Sequence, residues 1–412
     1  MAKDILVIGA GAAGMCSALF LQRDGHRVTV IDRDAPGKGC SFGNAGFLSP
    51  GTSTPKATPN MLRQVPGWLT DPSGPLKVRA SYALKAAPWL WQYIRAGRPQ
   101  VIAEGMTALL GLHENVFDLY GELVDTSDII RRLGQLHLFE SDAAFTYAQK
   151  TNIRRRERGI TVDELDADEA RQIVPEIGPD VRHALFIPDN GHLVSPFKLV
   201  SALAEKFVAD GGTVLCDEIR KLSLQDGKVI RVEGKTQKLS PDHIVLSAGA
   251  WSANLAAQLG DRIPLESQRG YHLELTQPGA MPKIGLQSVE RKFTITPMES
   301  GLRLAGTAEF AGLDAGPDYR RADVLFEHAK KLLPDITRHA DGGDRHWMGH
   351  RPCIPDSLPV IDRATNANNV HYAFGHGHTG MSGSPMTGKL VSDLVAGRPT
   401  GIDTDPFRLS RF

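Results

Sequence analysis

The chain has 412 residues, more than one hydrophobic core usually organises, so roughly two domains are expected. Its 47 Lys plus Arg balance its 47 Asp plus Glu, which argues against a dedicated nucleic-acid binder. Four cysteines with no CxxC pair suggest neither a disulfide framework nor a metal site, and point to a reducing compartment.

The run Ile5 to Leu21 is apolar, but it is short for a membrane span and Asp4 spoils a positive leader. Its glycines have another explanation. Ile5 to Ile8 suits a buried parallel strand, Gly9-Ala-Gly11-Ala-Ala-Gly14 follows, and Met15 to Asp24 reads as a helix closed by Gly25. Arg27 to Ile31 then reads as a second strand ending in Asp32. The parts form a dinucleotide-binding βαβ unit. Gly9 permits the tight turn, Gly11 lets a pyrophosphate reach the backbone, and Gly14 lets helix and strand pack closely. Ala13 lies in the first helical turn, whose free N–H groups and dipole attract phosphate. Asp32, with Arg33 beside it, is placed to receive ribose hydroxyls.

The small-residue loop Cys40 to Gly46 comes next, and Ser41, Asn44, Ala45 and Gly46 are its candidate cofactor contacts. Residues 61–100 hold six basic side chains, one acid, and Trp68, Trp89 and Trp91, broken by Pro66, Pro72, Pro75 and Pro88. They read either as short helices covering a substrate site or as a patch that touches the inner face of a membrane. Residues 101–189 look helical and then mixed, with Arg154 to Arg158 on a solvated helix face.

A helix from Phe197 to Asp210, a strand from Gly211 to Leu215, and a strand from His243 into Ala248 and Gly249 look like later pieces of the dinucleotide domain. Strand-like runs at Tyr271–Leu275, Phe293–Pro297 and Leu302–Ala305 suit a mainly antiparallel sheet. Near the end, the strand Val370–Phe374 enters Gly375-His376-Gly377-His378-Thr379-Gly380 and a helix to about Leu394. The chain stops before a second βαβ unit can form. This helix N-terminus instead suits a second part of the first cofactor, such as the reduced flavin's negative charge. One cofactor touched from both ends of the chain fits FAD better than NAD.

These residues resemble the D-amino-acid oxidase superfamily of flavoproteins, most closely its bacterial D-amino-acid dehydrogenases. The likeness spans the chain and rests on Gly9 to Gly14 with Asp32, Asn44-Ala-Gly46 before Ser49-Pro-Gly51, and Ser247-Ala-Gly-Ala-Trp-Ser252. It also rests on Gly349-His-Arg-Pro352 with Pro355-Asp356, and on Gly375-His-Gly377. It implies non-covalent FAD, hydride transfer from a small amino acid to flavin N5, and an imino-acid product. The D-amino acid expected is D-proline or a hydroxy-D-proline, with electrons passed to a quinone or a soluble carrier. The rivals are a glycine or sarcosine oxidase that makes peroxide and an electron-relay subunit. Arg351 is the implied partner of the substrate carboxylate, which a planar guanidinium matches in bidentate fashion. Tyr271 is a second candidate for the same carboxylate. No general base is assigned.

The fold class expected is α/β: a discontinuous Rossmann-like FAD-binding domain (1–60, 190–260, 350–412) and an α+β substrate domain (61–189, 261–349). The expected location is the cytoplasm, free or on the inner face of the membrane.

Overall fold

In the computed structural model, which describes residues 2–57, 65, 67, 68, 71 and 73–412, the first apolar run forms the strand Asp4–Ile8. It lies inside a six-stranded sheet ordered Thr213–Cys216, Arg27–Asp32, Asp4–Ile8, His243–Leu246, Val370–Phe374, Val360–Arg363. The first five strands are parallel and the last is antiparallel. Ile5 and Val7 face one apolar cluster while Leu6 and Ile8 face another, as a strand covered on both sides requires. The helices Ala12–Arg23 and Gly380–Ala396 pack together on one face. Their crossing is close: a Cβ on Gly388 would lie 2.6 Å from the Cys16 carbonyl carbon.

Three elements therefore leave adjacent strands at their carboxyl ends: the helix after Asp4–Ile8, the turn after His243–Leu246 and the helix after Val370–Phe374. Asp4–Ile8 has neighbours whose connections run to opposite sides, so a crevice opens above it, where ligands of parallel sheets bind.

A second sheet of nine strands is antiparallel except where Gly285–Ser288 meets Gln135–Phe139 and where Leu76–Val78 meets Gly301–Phe310. Its alternation is strict near the centre. Leu136, Leu286, Ile295, Leu304 and Leu273 face the helix Arg320–Leu332, which buries Leu325, Phe326 and Leu332 against them. The residues between them are mostly polar. Register lines up His137, Gln287, Thr294, Ala305, His272 and Trp347 across six strands on the opposite face.

The mixed architecture agrees with the expected fold class. Strands of the parallel sheet come from 4–32, 213–246 and 360–374, and those of the larger sheet from 76–187 and 266–353. The strand Arg345–Cys353 runs through position 350. All four cysteines are free. One local expectation holds for Arg156 and Glu157, which are exposed, but not for Arg155. The helix Asp142–Arg156 carries Asn152 and Arg155 on its inner stripe, so Arg155 is buried rather than on a solvated face.

Candidate active site

The glycine-rich turn is built by close packing. Gly9 has φ +111°, and a Cβ there would sit 2.3 Å from the Ser247 carbonyl oxygen. A Cβ on Gly14 would sit 1.9 Å from the Gly9 oxygen, whereas one on Gly11 would meet only Ser41 Oγ, at 3.3 Å. Gly9 and Gly14 thus serve the fold, and Gly11 leaves one side of the turn open. No side chain caps the helix Ala12–Arg23 at Gly11, although the Ala12 N–H donates to Ser41 Oγ at 3.2 Å. Ala13 follows in the same turn. An open glycine beside an uncapped helix start fits the pyrophosphate of FAD.

Asp32 accepts from the Ala10 N–H (2.7 Å) and the Asp34 N–H (3.1 Å), so its carboxylate also pins the turn to the second strand. Burial raises its pKa against those two donors. Arg33 stacks on Trp251 at 3.7 Å and pairs with Asp34. Ser247 ties the end of the strand His243–Leu246 to the turn by donating to the Ile8 and Gly9 carbonyls. Ala248 follows, and Gly249, with φ +55°, turns the chain into a short 3-10 helix.

At the other end of the chain, Gly375 and Gly377 have φ +89° and +54°, and the Gly377 N–H donates to the Pro352 carbonyl. The 17-residue helix Gly380–Ala396 has no side-chain cap at Thr379. The two expected histidines part ways. His376 turns inward to Thr387 Oγ1 at 2.8 Å, is buried, and also lines the cavity that His378 lines. His378 stays accessible and lines a small cavity. Burial, then the charges of Arg351 and Lys56, push it well below the usual histidine range.

The 40–46 loop is gripped by the polar face of the larger sheet. Arg303 donates to the Phe42 and Asn44 carbonyls, Thr296 to the Ala45 carbonyl, and His272 Nδ1 lies 3.1 Å from the Gly43 oxygen. Within the loop, the Gly46 N–H donates to Asn44 Oδ1. Trp347 stacks on His272 and fills the space that Cβ atoms on Gly43 or Gly349 would need.

Arg351 lies on that same polar face. Its guanidinium lies over Gly270, where a Cβ would come within 2.2 Å of Cζ, and it donates to the Thr307 (2.9 Å) and Gly306 (3.3 Å) carbonyls. Thr307 has φ +50°, and its buried hydroxyl has no partner among the described residues. No carboxylate of the described residues lies within 4.0 Å of Arg351; the Cys353 and Cys40 thiols and the Lys56 ammonium are near it. Burial lowers its pKa and also holds the thiols protonated, Cys40 at about 11 and Cys353 at about 12. Beside it is a small cavity of about 20 Å³ walled by Lys56, Trp89, Tyr93, Gln268, Cys353 and His378.

Tyr271 lies elsewhere. Its hydroxyl donates to Glu309 Oε2 at 2.5 Å and accepts from the Asp318 N–H, and its ring is in the core under the other face. Neighbouring strand positions point oppositely, so Gly270 meets Arg351 and Tyr271 does not. Gly270, Lys56, Thr307 and Trp347 were not anticipated. A glycine immediately before the strand-like run that begins at Tyr271 was an available sign of close approach.

Of residues 61–100, positions 61–64, 66, 69, 70 and 72 lie outside the described residues, Pro66 and Pro72 among them. The helix Ala83–Ala96 turns Trp89 inward and leaves Leu84 and Trp91 exposed at 91% and 62%. Among the described residues no helix is long and apolar enough to cross a membrane, and no side-chain group is placed to hold a metal.

A family model described as DAO, FAD dependent oxidoreductase, matches residues 4–394. A D-amino-acid oxidase from Bradyrhizobium diazoefficiens is 37% identical over 100% of this chain and 99% of its own. A D-amino acid dehydrogenase from Paramagnetospirillum magneticum is 31% identical over 99% of this chain and 98% of its own. The crystal structure of a glycine oxidase from Geobacillus kaustophilus has the same fold, with a TM-score of 0.75 at 21% identity over 100% of this chain and 99% of that one. A crevice built for a dinucleotide and a match over nearly the whole length lead to one conclusion: the chain belongs to the family of FAD-dependent oxidoreductases.

Proposed function

We propose that this protein oxidises a D-amino acid at its α-carbon to the imino acid. The observation that carries the proposal is Arg351, a cation inside the cleft with backbone partners but no carboxylate among the described residues. A bound α-carboxylate completes it, and the flat guanidinium over Gly270 fixes the plane of that carboxylate. Lys56 and Arg351 disfavour the ammonium form of a bound amine, which helps it lose a proton before oxidation. FAD, when bound, supplies the acceptor for the two electrons that leave the substrate.

The D configuration is supported by the names of the two relatives. Tyr271 is left out of the carboxylate site because Glu309 and Asp318 occupy its hydroxyl. For the acceptor we favour a quinone or a soluble carrier, with the exposed Leu84 and Trp91 supporting contact with a membrane surface. The oxidase reading has its own support in the relative named D-amino-acid oxidase. Anaerobic bleaching of the flavin spectrum by D- and L-amino acids, prolines, glycine and sarcosine tests the reaction. Bleaching by D-amino acids is expected; bleaching by glycine or sarcosine alone overturns it. Peroxide formed in air decides the acceptor.

A further inference from the structure

We propose that a β-bulge at Thr307 orients Arg351 for the substrate, its turned carbonyls gripping the guanidinium without neutralising it, so that Thr307 is a positioning residue of the site. The inference rests on Arg351 receiving the α-carboxylate.

The bulge shows in the register of two strands. Along Glu266–Leu275 and Gly301–Phe310, Gln268 pairs with Phe310 and Arg269 with Glu309, but Tyr271 pairs with Gly306. Gly270 therefore stands opposite both Thr307 and Ala308, one residue more than a regular ladder holds. Thr307 carries the distortion. Its φ of +50° is left-handed, which a β-branched residue seldom adopts. Its buried hydroxyl has no partner among the described residues, so no side-chain hydrogen bond offsets the strain.

The surroundings hold that conformation from both sides. The Ala308 N–H donates to the Pro75 carbonyl at 2.7 Å, where the strand Leu76–Val78 joins the sheet. Gly306 is pressed onto the core: a Cβ there would lie 2.6 Å from Phe293 Cβ and 3.1 Å from Leu325 Cδ2. Backbone strain fixed in this way gathers at functional sites.

Here it serves Arg351. From the strand Arg345–Cys353 the side chain crosses the middle strand at Gly270, whose missing Cβ leaves room for it, and reaches the bulge on the third strand. Nη1 donates to the Thr307 carbonyl at 2.9 Å and Nη2 to the Gly306 carbonyl at 3.3 Å. Successive carbonyls of a regular strand point to opposite edges; the bulge turns both toward one guanidinium. Other buried arginines show the alternative. Arg269 pairs with Glu309 at 3.1 Å and Arg303 with Glu274 at 2.8 Å. A carboxylate would hold Arg351 as firmly but would cancel its charge. Carbonyl dipoles fix the plane of the fork and leave the charge for the substrate.

Two variants break the bulge. Deletion of Thr307 restores a regular ladder, and Thr307→Pro forces a negative φ with a residue that bulges accept. Each should keep the flavin spectrum and raise KM at least about tenfold for the D-amino acid that bleaches the flavin most, with kcat changed less than about threefold. The preference for that amino acid over its carboxamide should shrink by a similar factor, whereas a general loss of packing would slow both alike. A third measurement keeps the bulge and removes its occupant. In Arg351→Ala the carbonyls are free to take up guanidinium ion, which should restore kcat/KM at least about tenfold, while methylammonium, a charge without the planar fork, should not. Parent KM in a folded bulge variant, an unchanged acid-to-amide preference, or guanidinium rescue no better than that by methylammonium overturns the proposal. Propionate separates it from the proposed reaction. Without turnover, propionate should raise the melting temperature of the FAD-loaded protein more than propionamide does, and the bulge variants should erase the difference. If that holds and no D-amino acid is oxidised, the reaction fails and the role of the bulge stands. If D-amino acids are oxidised but the difference is absent from the parent or survives in the variants, the bulge has no such role and the reaction stands.

Discussion

The crevice above the parallel sheet and the polar face of the nine-stranded sheet meet at one cleft, but different physics builds them. The crevice is made of backbone. Each of its parts is a short contiguous segment, and its shape depends on glycines whose missing Cβ atoms allow carbonyls to come near. The polar face is made of side chains that register brings together from six strands between residues 135 and 353. The first should tolerate almost no change in volume. The second should tolerate changes that keep charge and shape.

The largest expected effect therefore falls on Gly14. A Cβ there would be 1.9 Å from the Gly9 oxygen, a backbone atom that cannot move aside. Gly14→Val should prevent accumulation of folded protein or cost more than ~3 kcal/mol. Gly11→Ala is the contrast, because its Cβ meets only Ser41 Oγ at 3.3 Å. Chemical unfolding of the flavin-free variant should show a loss below ~1 kcal/mol, while FAD titration shows binding weakened at least tenfold. A Gly14→Val protein as stable as the parent would refute the close-packing account.

Next come changes on the polar face that move charge without disturbing the crevice. Gly270→Ala should displace the Arg351 guanidinium and lower kcat/KM by about 100-fold, or ~2.7 kcal/mol, with the flavin spectrum retained. Arg351→Lys keeps the charge and loses the fork, so a smaller loss of about tenfold, mostly in KM, is expected. Steady-state kinetics on flavin-loaded protein check both. A Gly270→Ala enzyme with unchanged kinetics would remove Arg351 from the substrate site.

Tyr271→Phe divides the two faces of the same sheet. It deletes a buried hydroxyl that serves Glu309 and Asp318, so stability should fall by ~1–3 kcal/mol. KM should stay within about twofold of the parent. A large rise in KM at unchanged stability would return Tyr271 to the carboxylate site.

The same contrast explains what could be read from sequence. The parallel strands, Gly9 to Gly14, Asp32 and the Gly375 segment were legible because each signal is contiguous and tied to one backbone conformation. Arg351 was singled out through its Gly-His-Arg-Pro setting and the resemblance, not through spacing. Tyr271 could not be placed from sequence because a one-residue step along a strand reverses the face, and Gly270 rather than Tyr271 faces Arg351. Arg155 was read as solvated because its basic neighbours dominate composition. Only the packing of its helix shows which side is inward. Lys56 has no local signal, since its meaning lies in lining the cavity beside Arg351.

The effect that is smallest at neutral pH is on pH-dependent stability, and it spans both regions. Burial pushes His113, His137 and His371 to about 3 and His376 to about 4, all below the unfolded value of ~6.5. Above ~6.5 these groups are neutral in both states and their effect on stability is flat. As pH falls below that value the unfolded chain takes up protons that the folded chain refuses, so stability drops until the folded values near 3 to 4 are reached. Carboxylates act lower still: Asp318, held at about 2 chiefly by Arg320, loses its contribution only below ~4. Melting temperatures should therefore be level above pH 7 and fall steadily between ~6.5 and ~4. His137→Gln should flatten that fall by its own share, because it removes one group that refuses a proton in the folded state. Equal melting temperatures at pH 7.5 and 5 would mean that these imidazoles accept protons in place, and the neutral His137 beside Arg155 would have to be abandoned with them.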